Sequence, residues 1–326
     1  MNGINEADSK KAYRELCSTH TSISLFSKDW WLDSVCDNGE RWDAVIYKKS
    51  GVVIAALPYV MKKKGPFNIQ TMPKLTQNFQ IWINYPDGIK DQDIIDFEVS
   101  AVSGIVSLLP KSHFVSFNVN YKLSNLIPFH WAGFSESALY TYVVDDLSDL
   151  PEVFSRFDGS MRNKVRKAEK LVATKFTDDI SVFYEINKKT FTRQGLEIPY
   201  TFNFLEKHDK ALKERKSRQI FLAVDDLGRA HSALYLTWDS HSSYVHMVGE
   251  DPELRSSGAG IKLIWDAIQF TRNELGLNCF DFEGSMIKSV ENVRRNCGGQ
   301  QRVYSNLTRC DSKILMALVG LRNILR

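Results

Sequence analysis

The chain has 326 residues, of which 43% are hydrophobic and 25% charged. This length and composition exclude a disordered chain and a disulfide-stabilised miniprotein, and they predict about two domains with cores of their own. Forty-two basic residues against 39 acidic ones leave a formal net charge of +3, which excludes a protein that binds polyanions over its whole surface.

The first half predicts a hairpin, a helix and a strand. The runs WDAVIY and VVIAALPYVM are rich in strand-forming residues, and the turn residues Lys48-Lys49-Ser50-Gly51 between them predict a β-hairpin over 42–64. Apolar residues at near-helical spacing predict a helix over 91–109, and an alternating run predicts a strand over 113–119.

A similar order returns about 175 residues later, which indicates the repeat of a whole structural unit. Strand-forming runs predict three antiparallel strands at 221–224, 233–238 and 244–248. They are followed by a helix with a buried stripe from Ile261 to Leu275 and by a strand over 279–282.

The two halves therefore predict a divergent duplication of mixed α/β (α+β) class. The acidic, proline-containing segment 145–152 is typical of a linker, so we place the boundary near Asp149, with domains 1–148 and 149–326.

One motif carries the chemistry of the second half. Between its third strand and its helix lies an R-x-x-G-x-G sequence, Arg255-Ser256-Ser257-Gly258-Ala259-Gly260. Glycines let backbone amides approach a ligand, and the helix N-terminus that follows offers unpaired N–H groups and a positive dipole end to a phosphate. A dinucleotide fingerprint would follow a parallel strand, whereas this loop follows antiparallel strands, so the context favours coenzyme A over NAD.

The order strand, R-x-x-G-x-G, helix, strand resembles the coenzyme A site of the GNAT acyltransferase superfamily. Segments 25–32, 162–170 and 280–285 further resemble bacterial tandem GNAT proteins related to the Fem peptidoglycan-bridge transferases. The resemblance implies two GNAT-like domains, each a mixed, mainly antiparallel sheet flanked by helices. It also implies an acyl donor in the second half. The matching place in the first half, Asn84-Tyr85-Pro86-Asp87-Gly88-Ile89, lacks the Arg-x-x-Gly, so we expect a degenerate donor site and an acceptor-side role there.

The resemblance leaves the donor open. The best-known Fem relatives use aminoacyl-tRNA, some with a long helical arm, but this chain has no charged heptad insertion and little net positive charge. We therefore expect acyl-coenzyme A, in particular acetyl-CoA, as co-substrate. An aminoacyl-tRNA-dependent transferase and a non-catalytic ligand-binding protein are the alternatives.

GNAT chemistry needs a base, an oxyanion site and an acid rather than a covalent nucleophile. Glu283 ends the strand after the motif helix and is the first candidate base, although Glu283 or Asp281 can instead cap a helix starting near Ser285. His246 is the second candidate base, or a packed strand histidine. The resemblance suggests Tyr304 as the acid that protonates the leaving thiolate. Amides around Val248 and Gly249 can bind the thioester oxygen if a bulge opens that strand.

A basic run between 162 and 170 suggests the acceptor. On a helix, Arg162 and Arg166 share a face and suit a phosphate by bidentate bonding, which favours a sugar-nucleotide or lipid-linked sugar acceptor from cell-envelope or polysaccharide synthesis. A solvated helix face, or a contact with tRNA in the alternative reading, fits the same residues.

The remaining patterns concern location and assembly. Residues 1–11 are polar, unlike a secretory signal, and the longest apolar runs are too short to span a bilayer, so we expect a cytoplasmic protein. Five cysteines without a C-x-x-C pair predict free thiols and no metal site. A predicted helix over 311–326 favours packing on the domain or a homodimer, without stable membrane insertion.

Overall fold

The structure, a computed structural model, describes residues 6–123, 125–284 and 286–317. The chain divides into two compact units. The first comprises Met1–Leu139 and Val303–Arg326, and the second comprises Tyr140–Arg302. Of the predicted C-terminal helix, residues 318–326 lie outside the described residues.

This division differs from the expected boundary near Asp149. The change of unit falls inside two strands, Ser135–Val144 and Gln300–Cys310, each of which begins in one unit and ends in the other. Segment 145–152 lies wholly within the second unit, and residues 303–326 return to the first. A boundary inside a strand carries no linker-like composition, so the sequence contains no signal for it.

In the first unit, the helices and strands in chain order are α1 (Glu6–Thr19), α2 (Asp29–Val35), β1 (Arg41–Lys49), β2 (Val52–Lys64), β3 (Phe67–Thr71), β4 (Trp82–Ile83), α3 (Asp91–Leu108), β5 (Phe114–Val119) and α4 (Ile127–Trp131). Strand β6 (Ser135–Val144) leads into the second unit.

In the second unit follow α5 (Leu150–Ser155), α6 (Gly159–Ala168), β7 (Ala173–Thr177), α7 (Ile180–Arg193), α8 (Phe202–Glu214), β8 (Arg218–Val224), β9 (Ala230–Trp238), β10 (Ser243–Glu250), α9 (Ala259–Asn273), β11 (Phe280–Asp281) and α10 (Lys288–Asn296). Strand β12 (Gln300–Cys310) leads back to the first unit.

The first-unit sheet is ordered β1-β2-β3-β5-β12, with β4 beside β2. Strands β1, β2 and β3 are antiparallel, α3 crosses over to β5, which is parallel to β3, and β12 pairs antiparallel with β5. The predicted hairpin is confirmed: Ser50 and Gly51 both have positive φ, as the tight turn between right-twisted strands requires.

The second-unit sheet repeats this topology in the order β7-β8-β9-β10-β11-β6. Strands β8, β9 and β10 are antiparallel, α9 crosses over to β11, which is parallel to β10, and β6 pairs antiparallel with β11. The last strand of each sheet therefore comes from the other half of the chain. Each unit has its own apolar core, and the predicted duplication of a mixed, mainly antiparallel sheet is confirmed.

Candidate functional site

Strands β10 and β11 pair only briefly and then part. Their parallel ladder contains the pairs Ser243–Phe280 and Tyr244–Asp281, whereas β10 continues to Glu250. A bulge in β10 lies between Val245 and Met247, so His246 is the extra residue that the pairing with β9 leaves out. A bulge re-aims the side chain of such a residue, and functional sites often lie beside one.

His246 and Glu283 meet where the two strands part. The Nδ1 atom of His246 lies 2.9 Å from Oε1 of Glu283. The His246 side chain is only 1% exposed, whereas that of Glu283 is 13% exposed. An ionised carboxylate can only accept, so with Glu283 ionised the proton of this hydrogen bond lies on Nδ1. Because its side chain is the more exposed of the two, Glu283 is the candidate base that solvent or a substrate can reach.

Asp281 and Thr141 hold the backbone of Glu283. Glu283 has a φ of +52°, in the left-handed region that non-glycine residues rarely adopt. Oδ1 of Asp281 accepts the Glu283 N–H at 2.8 Å and the Thr141 hydroxyl at 2.6 Å. Burial raises the pKa of Asp281 to about 7, although the Thr141 hydrogen bond opposes the rise. Neither acidic residue caps a helix, because α10 begins only at Lys288, after Ile287.

A second buried imidazole lies behind His246. His208 of α8 is fully buried, and the centroids of the two histidine rings are 5.6 Å apart. Burial lowers the pKa of His208 well below its usual value, with His246 a smaller cause in the same direction. His208 is therefore neutral near pH 7, and His246 has both the Glu283 carboxyl group and this uncharged ring as neighbours.

The R-x-x-G-x-G loop forms a tight turn before α9. Residues Arg255–Ser257 form one turn of 3-10 helix, and Gly258 follows with a φ of +80°. A Cβ atom on Gly258 would lie 2.8 Å from the carbonyl oxygen of Lys164, so only glycine fits there. The amides of Ser257, Gly258 and Ala259 already donate within the turn, to Leu254 O, Arg255 O and Ser257 Oγ.

Helix α6 packs beside this loop and carries the basic run. Lys167 Nζ donates to the carbonyl oxygen of Ser256 at 2.7 Å, and Lys167 and Arg166 are exposed. Arg162 donates through one terminal nitrogen to the carbonyl oxygens of Ser155 and Phe157, at 2.6 and 2.5 Å, and its role in substrate binding stays a prediction. The lysines of α6 thus lie nearest the loop, while Arg162 ties α6 to the end of α5.

Strand β10 contains a bulge, the condition for the proposed oxyanion site, and it lies at His246. The residues proposed for the oxyanion, Val248 and Gly249, lie in regular pairing with Leu234 and Ala233. The Val248 carbonyl accepts from Nδ2 of Asn187, and a Cβ atom on Gly249 would lie 2.6 Å from the Asn187 backbone nitrogen. Gly249 therefore allows the close packing of α7 on β10, and the binding of an oxyanion by the amides around Val248 and Gly249 stays a prediction.

Tyr304 lies in β12 and is 7% exposed. It belongs to the segment that clusters with the first unit, whereas His246 and Glu283 belong to the second. Its role as an acid stays a prediction.

Sequence reasoning missed two residues of this site. Thr141 is 140 positions from Asp281, and a threonine in a strand gives no signal of its own. His208 lies in a helix among buried apolar residues, a pattern typical of a core position.

The described residues contain no cluster of three or more His, Cys, Asp or Glu side chains that could hold a metal ion. None of the helices in residues 6–123, 125–284 and 286–317 is long and apolar enough to cross a membrane.

Three comparisons with known proteins bear on this site. Residues 155–287 match the family described as acetyltransferase (GNAT) domain. No curated protein matches the sequence significantly.

Several solved structures share the fold. FemX is 14% identical with a TM-score of 0.67, covering 94% of this chain and 96% of FemX. The C-terminal domain of a putative lysylphosphatidylglycerol synthetase from Agrobacterium fabrum is 11% identical with a TM-score of 0.57, covering 97% and 95%. A tandem GNAT protein from the clavulanic acid biosynthesis pathway is 12% identical with a TM-score of 0.51, covering 93% and 95%.

At these identities the structural likeness extends to the fold alone. The matched range contains the R-x-x-G-x-G loop, His246 and Glu283, so this part of the second unit is similar to a GNAT acetyltransferase domain, and the fold of the chain is similar to that of a tandem GNAT protein.

Proposed function

We infer that the protein is an acyltransferase that moves an acetyl group from acetyl-CoA to an amine, with Glu283 as general base. The observation that carries this inference is the contact between Glu283 and His246 at the point where β10 and β11 part, inside the matched GNAT domain. Glu283 is the more exposed member of the pair, so its carboxyl group can contact the acceptor. The buried His246 imidazole orients that carboxyl group through the hydrogen bond at Nδ1.

The reaction balances without a covalent enzyme intermediate. The acceptor nitrogen attacks the thioester carbon, and Glu283 takes the proton that the nitrogen loses. The tetrahedral intermediate then expels the coenzyme A thiolate as the C–S bond breaks. In this proposal amides around Val248 and Gly249 stabilise the oxyanion, and Tyr304 protonates the thiolate.

The donor phosphates bind at the loop before α9. Residues 255–260 present a helix N-terminus, and the lysines of α6 add positive charge beside it. Arg255 and Ser256 are exposed and available to a ligand.

A specific observation also favours aminoacyl-tRNA as the donor. Three amides of the loop are engaged within the turn, which leaves fewer for a pyrophosphate, while the exposed basic face of α6 suits a longer polyanion. The sequence also resembles Fem-related transferases, which use that donor.

The acceptor is the amine, or less favourably the hydroxyl, of a sugar-containing cell-envelope or polysaccharide precursor. The Fem-like resemblance supports this class. The exposed Arg166 can contact its phosphate.

Calorimetry with acetyl-CoA, free coenzyme A and a charged tRNA mixture tests the donor. The variant Arg255→Glu, Ser256→Asp places negative charge at the exposed part of the loop, and Lys175→Glu on the edge strand β7 is a matched control. Substitution of Gly258 itself, for example Gly258→Trp, would not test binding alone, because even a Cβ atom there would clash with the Lys164 carbonyl oxygen and disturb the loop.

We expect wild type and Lys175→Glu to bind acetyl-CoA and the loop variant to lose binding. Binding of the tRNA without coenzyme A, with activity lost on ribonuclease treatment, would establish the other donor. Binding of acetyl-CoA without release of free thiol in the presence of any amino-sugar acceptor would favour a non-catalytic binding protein.

A further inference from the structure

We propose that Asp281 and Thr141 are positioning residues for Glu283, holding its backbone in the left-handed turn that directs the carboxylate to His246. The proposal rests on the assignment of Glu283 as the base. Neither residue needs to touch a substrate, because both act through the geometry of Glu283.

The strand hydrogen bonding that continues from β11 ends before Glu283. Asp281 is the last residue of the parallel ladder with β10, and the N–H of Phe282 still donates to the Tyr142 carbonyl of β6 at 2.9 Å. The next N–H, of Glu283, turns away from strand pairing and donates to Oδ1 of Asp281. The Asp281 side chain therefore replaces a strand as the partner of this amide.

One atom of Asp281, Oδ1, receives two hydrogen bonds. The Thr141 hydroxyl donates to the same Oδ1 atom that accepts the Glu283 amide. Thr141 is 1% exposed and Asp281 2% exposed, so no water competes for that atom in this conformation. Thr141 fixes the Asp281 carboxyl, and the carboxyl fixes the turn.

The first unit shows that the fold does not require a buried carboxyl group at the position of Asp281. At the corresponding ladder position of the first unit, β5 has Ser116 paired with Thr71. Asn118, two residues further on, stays in the strand pairing with Asn306 of β12 and has no positive φ. The left-handed turn thus accompanies the buried Asp281 and Glu283, and the corresponding position of the first unit, with Ser116 and Asn118, does not have it.

Several charged or titratable groups face Asp281. They are Glu283, two residues after the end of β11, Arg294 on α10 and, beyond Glu283, His246 on β10; Thr141 on β6 is the uncharged neighbour. The positioning role uses Oδ1 as an acceptor, which an amide oxygen can replace.

The test compares Asp281→Asn with Asp281→Ala, and Thr141→Ser with Thr141→Val. The first readout is the proton NMR resonance of the hydrogen-bonded His246 Nδ1–H in the full chain, with Glu283→Ala, which has no acceptor atom, as the reference for its loss. This readout needs neither the acyl donor nor the acyl acceptor of the reaction. The second readout is kcat and KM for thiol release from acetyl-CoA with an amine acceptor.

We expect Asp281→Ala to lose the His246 signature and to lower kcat by about 10²-fold with KM little changed, as displacement of a catalytic group by about 1 Å does. Asp281→Asn and Thr141→Ser keep the acceptor and donor atoms and should retain the signature and the order of magnitude of kcat. The kcat of Thr141→Val should lie between that of Asp281→Ala and that of Asp281→Asn.

An intact His246 signature in a folded Asp281→Ala protein would overturn the proposal. Equal damage in Asp281→Asn and Asp281→Ala would overturn it as well, because the charge rather than the acceptor atom would then matter. If Asp281→Ala does not fold, Asp281→Asn against Thr141→Val decides the same question. Full activity of Glu283→Gln would instead reject Glu283 as the base, while the NMR comparison would still report on the turn.

Discussion

The two units contain the same strand, helix and parallel-strand arrangement, but they fill the space beside the parallel pair differently. In the first unit the connection from β3 to α3 is long, and its residue Phe79 bridges to Val119 of β5. The Phe79 N–H donates to Asn118 O, and the Asn120 N–H donates to Phe79 O. In the second unit the connection from β10 to α9 is the short R-x-x-G-x-G loop, and the two strands part around His246 and Glu283.

The difference shows how one fold becomes either a closed core or a site. Phe79 is 1% exposed and completes the sheet where β3 ends. At the position that corresponds to Glu283, Asn118 donates to the Gln77 carbonyl and accepts from Asn306. The first unit therefore uses its polar group for internal hydrogen bonds, whereas the second keeps a partly exposed carboxylate on a strained backbone, as functional sites often do.

Glu283→Gln should have the largest effect on activity of the substitutions considered. If it had little effect, the second unit would not differ from the first in carrying a catalytic carboxylate. The change keeps shape and removes the base, so kcat should fall by about 10²–10⁴-fold. Thiol release from acetyl-CoA measures it, with donor affinity by calorimetry unchanged. The matched substitution in the first unit, Asn118→Ala, should leave kcat near that of wild type; equal losses at both positions would contradict the division of roles.

Substitution of Phe79 by Ala opens the filled position of the first unit. Truncating a fully buried Phe should lower the free energy of unfolding by about 3–5 kcal/mol, measured by urea denaturation. We expect the stoichiometry of donor binding to stay unchanged, because the first unit also lacks the loop and the carboxylate. A second equivalent of bound acetyl-CoA in Phe79→Ala would show instead that Phe79 alone closes that site.

How much of this contrast could be predicted from sequence depends on the range of the signal. The hairpin, α3 and α9 were predictable because turn residues and apolar spacing are local, and the loop motif marked the asymmetry between the halves. His246 and Glu283 were each named from their place in a strand. Their contact across 37 positions depends on how β10 and β11 part, which no local pattern encodes.

Two features gave no signal in the sequence. The place of the bulge in β10, at His246, could not be predicted, and neither could the close approach of Asn187 on α7 that requires glycine at position 249. The exchange of the last strand between the sheets escaped prediction, because β6 and β12 have ordinary strand compositions and pairing partners are set by tertiary packing.

The pH dependence of stability should distinguish Asp281, at the end of the parallel strand pair of the second unit, from Ser116 at the corresponding place in the first. Asp281 ionises near 3.8 when unfolded, but burial raises its pKa to about 7 in the folded chain. Between these values the folded state holds the extra proton, so this group's stabilisation is complete below about pH 4 and is lost as pH rises to about 7.

The loss should approach about 1.4 kcal/mol per pH unit within that window. Urea unfolding of wild type and Asp281→Asn from pH 4 to 8 measures it: the variant should gain stability relative to wild type up to about pH 7 and keep a constant difference above. Ser116→Ala in the first unit should show no such slope relative to wild type. A pH-independent difference between wild type and Asp281→Asn would mean that Asp281 keeps its ordinary pKa.

The smallest expected effect concerns the strained backbone of Glu283. Both Glu283→Gly and Glu283→Ala remove the contact with His246, but only glycine adopts a φ of +52° without a Cβ clash. Glu283→Gly should therefore be more stable than Glu283→Ala by about 1 kcal/mol, although glycine usually destabilises a fold relative to alanine. The same pair at Asn118, in regular strand pairing without positive φ, should show the opposite order. A common sign at both positions would mean that Glu283 is not held in a left-handed turn in solution, and that the two units do not differ in the strain they carry.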